Sequence, residues 1–383
     1  MRGRGIRAAR LAALAGALVS ISISALAAPP AGVGALSPAA PGFAQARAGV
    51  PIVFPQDHGP HPSFRQEWWY VTGNLDAASG ERFGFELTFF RFALAPPQPA
   101  AAGASAWRAR EIYMAHFAIT DAARARFRFS QKLERGALGL AGAQAAPFRV
   151  WVDDWSLSDA GAAPAAPAAS WTLSAAEPGY AIQLELVPLQ APVLNGQAGL
   201  SRKSDEEGSA SYYYSVPRLQ AKGQLVRDGQ TFAVTGLAWL DREWGSGGLG
   251  QRQAGWDWFA LQLEDGSSLM FYALRTTDGG RDPHSAGTFV DASGAARPLA
   301  NQDVAVAVTG EWRNAHGERY PAHWHLLVPA LALDLEVRPV LADQELTGRP
   351  PYWEGAVDVS GTRGAKRLTG RGYVELVGYA KER

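Results

Sequence analysis

From Val50 onward this chain is a succession of short runs in which apolar or aromatic residues alternate with polar ones. Gly, Asp, Asn and Pro punctuate them, and apolar residues hardly ever recur at helical spacing. Isolated strands leave backbone donors and acceptors open along both edges, so a chain made of many short ones must close them into sandwiches or barrels. The pattern predicts an all-β protein. A first series of strands is expected at 67–75, 82–92, 112–120, 127–133, 148–151, 171–174, 181–188, 211–216, 221–227 and 231–239. A second is expected at 255–264, 268–275, 286–290, 303–309, 322–327, 331–337, 352–360 and 366–376. Asp228-Gly229 and Asp265-Gly266 are the clearest turns. The chain is too long for one ordinary core, and a boundary near 245–250 divides it into an N-terminal domain, 50–245, and a C-terminal domain, 246–383.

The first 27 residues are of another kind. Arg2, Arg4, Arg7 and Arg10 precede an apolar run, 11–26, that ends in Ala25-Leu26-Ala27, the pattern of a secretory signal peptide cleaved near Ala27. The run is too short and too rich in Ala, Gly and Ser for a membrane span of ~20 residues, so the mature chain is expected to lack an integral membrane segment and to be periplasmic or secreted. Residues 28–49, Ala, Pro and Gly rich, are expected to be a disordered linker. Without the four arginines, 32 basic residues face 36 acidic ones, which argues against a nucleic-acid partner. The absence of Cys excludes disulfides, thiolate metal sites and cysteine nucleophiles.

Two stretches concentrate chemistry. In the run from His61 to Leu75, a charged Glu67 heads a strand beside Trp68, Trp69 and Tyr70. Strand alternation puts Glu67, Trp69 and Val71 on one face and Trp68, Tyr70 and Thr72 on the other. Such a strand is buried on both sides or lines a cavity, and Glu67 needs a partner such as Arg91 or Arg242. The second stretch is Trp239-Leu240-Asp241-Arg242-Glu243-Trp244, followed by Gly255-Trp256-Asp257-Trp258-Phe259. If the strand persists past Trp239, Asp241 and Glu243 share its face while Arg242 shares the other with Trp244. Carboxylates ~6–7 Å apart along a strand divide acid and base roles when burial and repulsion raise one pKa; the same acids could instead hold an Arg.

His116 lies on a strand face with Met114 and Ala118, as a hydrogen-bonded core imidazole or as a proton shuttle. Tyr213 offers a phenol to a pocket or simply packs. Neither Asp57, His58 and His61 nor His323 and His325 supply three convincing metal ligands. The metalloprotease, serine-elbow, phosphate-loop and dinucleotide motifs are missing, so neither a metal nor a cofactor is expected. The 13 Trp would suit sugar stacking, but most sit in strands with apolar neighbours, which points to a cavity or core. Tyr352-Trp353-Glu354-Gly355 weakly echoes Glu67-Trp68-Trp69-Tyr70.

The segments from His61-Pro62 through Glu67-Trp68-Trp69-Tyr70-Val71-Thr72-Gly73-Asn74-Leu75, Met114-Ala115-His116-Phe117-Ala118, Asp241-Arg242-Glu243-Trp244 and Gly255-Trp256-Asp257-Trp258-Phe259 together resemble the bacterial lipocalin-like family that includes AttH and the carotenoid 1,2-hydratases, or hydroxyneurosporene synthases. The resemblance covers essentially 50–380. It implies two consecutive lipocalin-like antiparallel β-barrels packed against each other, with a largely apolar pocket near their junction. It also implies acid-catalysed hydration of an isolated double bond in a polyene, without a cofactor. Fungal relatives of this fold are pericyclases, so the fold does not decide the activity.

The chain departs from the hydratases at Arg242, where the resemblance predicts His. Arg cannot give up a proton at working pH, which leaves Asp241, Glu243 or Asp257 as candidate catalytic acids. Glu67, Trp69, His116, Tyr213, Arg242, Trp244, Trp256 and Trp258 are the candidate ligand-binding residues. AttH-like members resemble exported proteins associated with ABC-type transporter operons that carry an FtsX-like permease. Three functions are therefore expected to compete: an exported carrier of a lipid, isoprenoid or polyene, associated with a transporter permease; a hydratase-like lyase, isomerase or pericyclase; and an interaction module whose aromatics are merely core.

Overall fold

The computed structural model describes residues 41–98, 105, 107–161 and 170–380. The expected signal peptide and the linker up to residue 40 lie outside the described residues.

The chain is almost entirely strand. The first sheet contains β1 (Gln66–Ala77), β2 (Arg82–Ala93), β3 (Glu111–Asp121), β4 (Arg126–Arg135), β5 (Ala141–Ala145), β6 (Phe148–Val152), β7 (Trp155–Asp159), β8 (Trp171–Glu177), β9 (Tyr180–Pro188), β10 (Val193–Leu194), β11 (Leu200–Arg202), β12 (Ala210–Arg227) and β13 (Gln230–Gly245). The second contains β14 (Gln253–Leu263), β15 (Ser268–Thr276), β16 (Ala286–Val290), β17 (Ala296–Ala300), β18 (Ala305–Arg313), β19 (Arg319–Val328), β20 (Leu333–Pro339), β21 (Glu345–Leu346), β22 (Tyr352–Arg363) and β23 (Lys366–Val377).

The order in the first sheet is β4-β3-β2-β1-β13-β12-β9-β8-β7-β6-β5, so the aromatic opening strand is central, between β2 and the last strand of its own barrel. The sheet curls over one core. Phe117 of β3 packs on Trp155 of β7 and Tyr180 of β9, and Lys132 of β4 pairs with Asp154 beyond β6. The second sheet, ordered β17-β16-β15-β14-β23-β22-β20-β19-β18, bends over Phe259, Phe271, Trp324, Trp353 and Val374 as a half-barrel. These are the two packed antiparallel lipocalin-like units that the resemblance implies, the first a nearly closed barrel and the second a half-barrel.

Strand alternation gives both sheets a second apolar face, and those faces meet. Tyr70, Tyr213 and Trp239 of the first barrel pack with Trp258, Met270, Tyr272 and Tyr373 of the second in a third core between them. Polar groups cross it in register: Thr120 Oγ1 donates to Gln344 Oε1 at 2.6 Å, and Gln262 Nε2 donates to the carbonyls of Pro217 and Ala238 at 2.8 and 2.9 Å. The barrels approach closely at Gly84 of β2, where a Cβ would lie 2.6 Å from Ala356 Cβ and 2.8 Å from Tyr373 Oη. Gly84→Val is expected to wedge the barrels apart and cost about 1–3 kcal/mol of stability, read as a lower urea midpoint.

Three sequence expectations need correction. Strands 211–216 and 221–227 are one strand, β12, with a bulge between Val216 and Leu219. Pro217 has no N–H to give the ladder, and the alternation slips there. The strand expected to end at Trp239 runs to Gly245, paired on both sides with β1 and β12. Residues 44–47, assigned above to a disordered linker, pack on the first barrel. Ala44 donates its N–H to the Ser63 carbonyl at 2.9 Å, Arg47 donates its N–H to Tyr212 Oη at 3.0 Å, and Ala46 is buried. The hairpin at Asp228-Gly229 has the left-handed φ values, 50° and 81°, of a two-residue turn matched to strand twist.

Candidate functional site

At one end of the interface the barrels diverge and leave a cleft enclosing about 900 Å³, its mouth included. β1 supplies Trp68 and Tyr70, β12 Ser211 and Tyr213, and β13 Asp241 and Glu243. From the other barrel come Trp256 and Trp258 of β14, Tyr272 of β15, Tyr352 of β22 and Glu375 of β23. The wall is chiefly aromatic, with carboxyls set into it.

The carboxyls differ in their partners. Asp241 accepts three hydrogen bonds: from Tyr213 Oη, from Ser215 Oγ at 2.5 Å and from Trp239 Nε1 at 2.6 Å. Burial still lifts it to about 7, against those donors, which favour its ionised form. Glu375 accepts from Trp256 Nε1 at 2.9 Å, and burial also lifts it to about 7. Glu243 accepts from Ser211 and pairs with Lys203 Nζ at 3.0 Å. That ammonium also lies over the rings of Tyr213 and Tyr272. Trp258 Nε1 donates to Tyr213 Oη at 3.1 Å, so a second-barrel indole positions the phenol that holds Asp241.

The residues singled out by sequence divide by face. Asp241, Glu243, Tyr213, Trp256 and Trp258 line the cleft. Glu67, Trp69, Arg242 and Trp244 point the other way, into the first barrel, and do not line it. There Glu67 bonds both Arg91 and Arg242, the partners its burial demanded, and Arg242 lies over the Trp69 ring at 3.9 Å. Burial alone would raise the Glu67 carboxyl, but the two guanidinium groups and His61 hold it well below the usual carboxylate range. The ligand-binding expectation for these four therefore gives way to a buried ionic plug.

Asp257 lies outside the cleft lining, with Arg275 Nε donating at 3.0 Å and Tyr379 Oη at 2.9 Å; burial lifts it to about 6 against both partners. His116 lies behind the cleft. Gln131, whose Oε1 accepts the Arg349 N–H, donates from Nε2 to His116 Nε2 at 3.0 Å, leaving Nδ1–H to donate to Tyr352 Oη at 2.7 Å. Burial drops this imidazole to about 3, so it is neutral and orients a cleft phenol. Among the described residues, no group of three His, Asp or Glu has the geometry of a metal site.

Sequence reasoning passed over Glu375, Lys203, Trp68, Tyr70 and Tyr352 as site residues. For Trp68 and Tyr70 the signal was present, since they form the second face of a strand aromatic on both. Glu375 sits in an ordinary alternating run, Gly372-Tyr373-Val374-Glu375-Leu376, and nothing local marks it.

Deeper in the interface Glu86 of β2 is wholly enclosed. No protein group completes a hydrogen bond to either of its oxygens, and Thr88 Oγ1 on the same face is likewise unpaired. Burial pushes it up to about 8. The folded chain therefore holds a proton that the unfolded one has released, so this group lowers stability as pH rises from about 4.3 towards 8. Glu86→Gln is expected to raise stability at pH 9 by at least about 1 kcal/mol and to leave it nearly unchanged at pH 3, below the unfolded carboxylate value, in denaturation series at the two pH values.

The AttH-like family model matches residues 45–379. A crystal structure described as a putative AttH from Nitrosomonas europaea is 35% identical, superposes with a TM-score of 0.77, and aligns over 88% of this chain and 100% of its own. Kievitone hydratase from Nectria haematococca shares the fold at 15% identity, with a TM-score of 0.66 over 90% of this chain and 98% of its own. Among curated proteins, the dehydratase asqC of Emericella nidulans is 25% identical over 201 residues, 49% of this chain. The match spans about half, 55%, of that relative's length.

Proposed function

The chain belongs to the AttH-like family, and from that premise we propose that its interbarrel cleft binds an elongated, largely apolar molecule and adds water to, or removes it from, a carbon–carbon double bond without a cofactor. The observation that carries this reading is the placement of Asp241 and Glu375. Asp241 is buried and Glu375 half-buried; they face one aromatic cleft from different barrels, and desolvation lifts both towards neutrality. The hydratase and dehydratase names of the relatives support the same class of reaction.

The hydrogen bonds assign the roles. Asp241, with three donors, is the better-stabilised anion and serves as base; Glu375, with one, retains the proton and serves as acid. Glu375 protonates one alkene carbon, and the cation left on the other lies among the faces of Trp68, Tyr213 and Trp258, whose quadrupoles attract positive charge. Water adds to the cation, and its surplus proton passes to Asp241. Dehydration is the reverse.

Carriage of the same hydrophobic molecule without turnover is the second reading, favoured by the aromatic wall itself. Export, and association with an ABC-type permease, rest on the arginines and apolar run of residues 1–27 and on the family resemblance. Cell fractionation and co-purification of the tagged full chain test them.

The deciding experiment for catalysis offers isoprenoid and polyene alkenes, and their tertiary and allylic alcohols, to wild type and Asp241→Asn in isotopically labelled water. Label appearing in product with wild type and lost with Asp241→Asn supports the lyase. Equal rates would remove Asp241 from the mechanism, and tight binding with no exchange in any member of the panel would leave the carrier.

A further inference from the structure

We propose that Lys203 is the specificity-determining residue of the cleft: its ammonium binds a neutral carbonyl oxygen at one end of the otherwise apolar ligand and so fixes which way round that ligand lies. The inference rests on the reading that the cleft takes a largely apolar molecule, but not on turnover.

Strand order gives the cleft two unlike ends. The first barrel presents β11-β12-β13-β1-β2 across it, and the second presents β15-β14-β23-β22. Contacts between them keep that sequence. Ser201 Oγ of β11 and Tyr272 Oη of β15 share a hydrogen bond at 3.0 Å, Trp258 of β14 donates to Tyr213 of β12, and Tyr70 of β1 donates to Glu354 of β22. Lys203, which directly follows β11, therefore marks one end, beside Glu243 and Ser211. At the other end Phe90 of β2 and Tyr352 of β22 belong to an apolar cluster that Trp68 and Trp256 extend. Asp241 of β13 and Glu375 of β23 stand between the two.

Lys203 is held in its place by backbone and side chain alike. Its N–H donates to the Ser209 carbonyl at 2.8 Å, and its carbonyl accepts from Gln253 Nε2 at 2.6 Å. The ammonium lies 3.0 Å from Glu243 Oε1, and 5.3 and 4.4 Å from the ring centroids of Tyr213 and Tyr272. Burial works against its charge, but Glu243 and then Tyr272 more than offset this, so the group stays protonated. An ammonium carries three N–H donors. Glu243 accepts one, and ring faces attract the charge without the directed, charge-assisted bond that a ligand oxygen would accept.

The charges then select the headgroup. Among the described residues that line the cleft, Lys203 is the one basic side chain, against Asp241, Glu243 and Glu375. Its charge is already matched by Glu243. A carboxylate head would enter as an unmatched anion among acids and would have to shed its water to do so. A carbonyl oxygen accepts from the same ammonium and adds no charge. With that oxygen at Lys203, the apolar body runs towards Phe90 and Tyr352, past Asp241 and Glu375.

Three probes of one shape test this: 2-acetylnaphthalene, 2-ethylnaphthalene, in which methylene replaces the carbonyl, and 2-naphthoate, in which a charged oxygen replaces the methyl. Each is titrated into wild type and into Lys203→Met/Glu243→Gln, which removes both charges so that neither is left buried alone. The affinity ratio of ketone to hydrocarbon should fall about tenfold or more in the double variant, and wild type should bind the naphthoate more weakly than the ketone. An unchanged ratio, or tighter binding of the naphthoate, overturns the assignment and leaves the apolar cleft intact. Failure of wild type to bind either the ketone or the hydrocarbon would instead overturn the apolar cleft. A second measurement needs no variant. The infrared carbonyl stretch of the ketone, labelled with carbon-13 at that carbon and bound to wild type, should lie at least as far below its position in hexane as it does in water. A hexane-like stretch would remove Lys203 as its partner.

Discussion

Glu375→Gln is expected to lower turnover by about 10²–10⁴-fold while leaving ligand affinity and the urea midpoint close to wild type. Gln keeps the shape and still accepts from Trp256 Nε1, so the indole that borders the cleft stays in place. What disappears is the only property that distinguishes the two side chains at this site, a proton that leaves near neutral pH. The pH profile provides a second readout. An acid lifted to about 7 must be protonated to act and a base lifted to about 7 must be ionised, so wild-type turnover should be bell-shaped around neutrality. Asp241→Asn should abolish the acidic limb and Glu375→Gln the alkaline one. Affinity for a non-reacting apolar analogue, measured by quenching of tryptophan fluorescence, separates loss of chemistry from loss of binding. If Glu375→Gln turned over at the wild-type rate, another group would be the acid.

Arg242→Met is expected to destabilise the protein by about 3–5 kcal/mol, although Arg242 lies in the motif next to the candidate base. Its guanidinium donates to Glu67 and to the Gly59 carbonyl and covers the Trp69 ring. Its loss leaves an enclosed carboxylate with Arg91 and His61. Part of the loss should return in Glu67→Gln/Arg242→Met, which removes the uncompensated charge as well, and urea midpoints at constant m-value measure both. The pH dependence has a definite sign. The folded-state pKa of Glu67 is depressed, so its contribution is present above the unfolded carboxylate value of about 4.3 and is lost as pH falls below it. Wild type should lose stability over that acidic interval more steeply than the double variant. Equal slopes would mean that Glu67 carries no linkage.

These two residues show how far local pattern reaches. Alternation along β1 and β13 put Glu67, Trp69 and Val71 on one face, Asp241 with Glu243 on another, and Arg242 with Trp244 opposite them, and the strands observe this throughout. Alternation says which side chains travel together but not what either face meets. Both faces of β1 carry large aromatics, so the face bearing the charge looked as much like a cavity wall as the other. Closure of the first barrel decided the matter. Once β1 is paired between β2 and β13, the Glu67 face looks into the barrel and the Trp68 face looks out, towards the second barrel.

Glu375 lies furthest from what local pattern reveals. It is one acid in an alternating strand, more than a hundred residues from Asp241, and it acquires its chemistry only when the first barrel and the second half-barrel pack face to face. By itself the sequence determined that this chain is all β and which residues share a strand face, because those follow from period-two alternation and turn chemistry acting over a few residues; the pair of barrels was implied by the family resemblance. Only the tertiary structure decided which faces meet, because burial and the proximity of like charges, the two effects that move a carboxyl to neutrality, are properties of packing between strands distant in the chain.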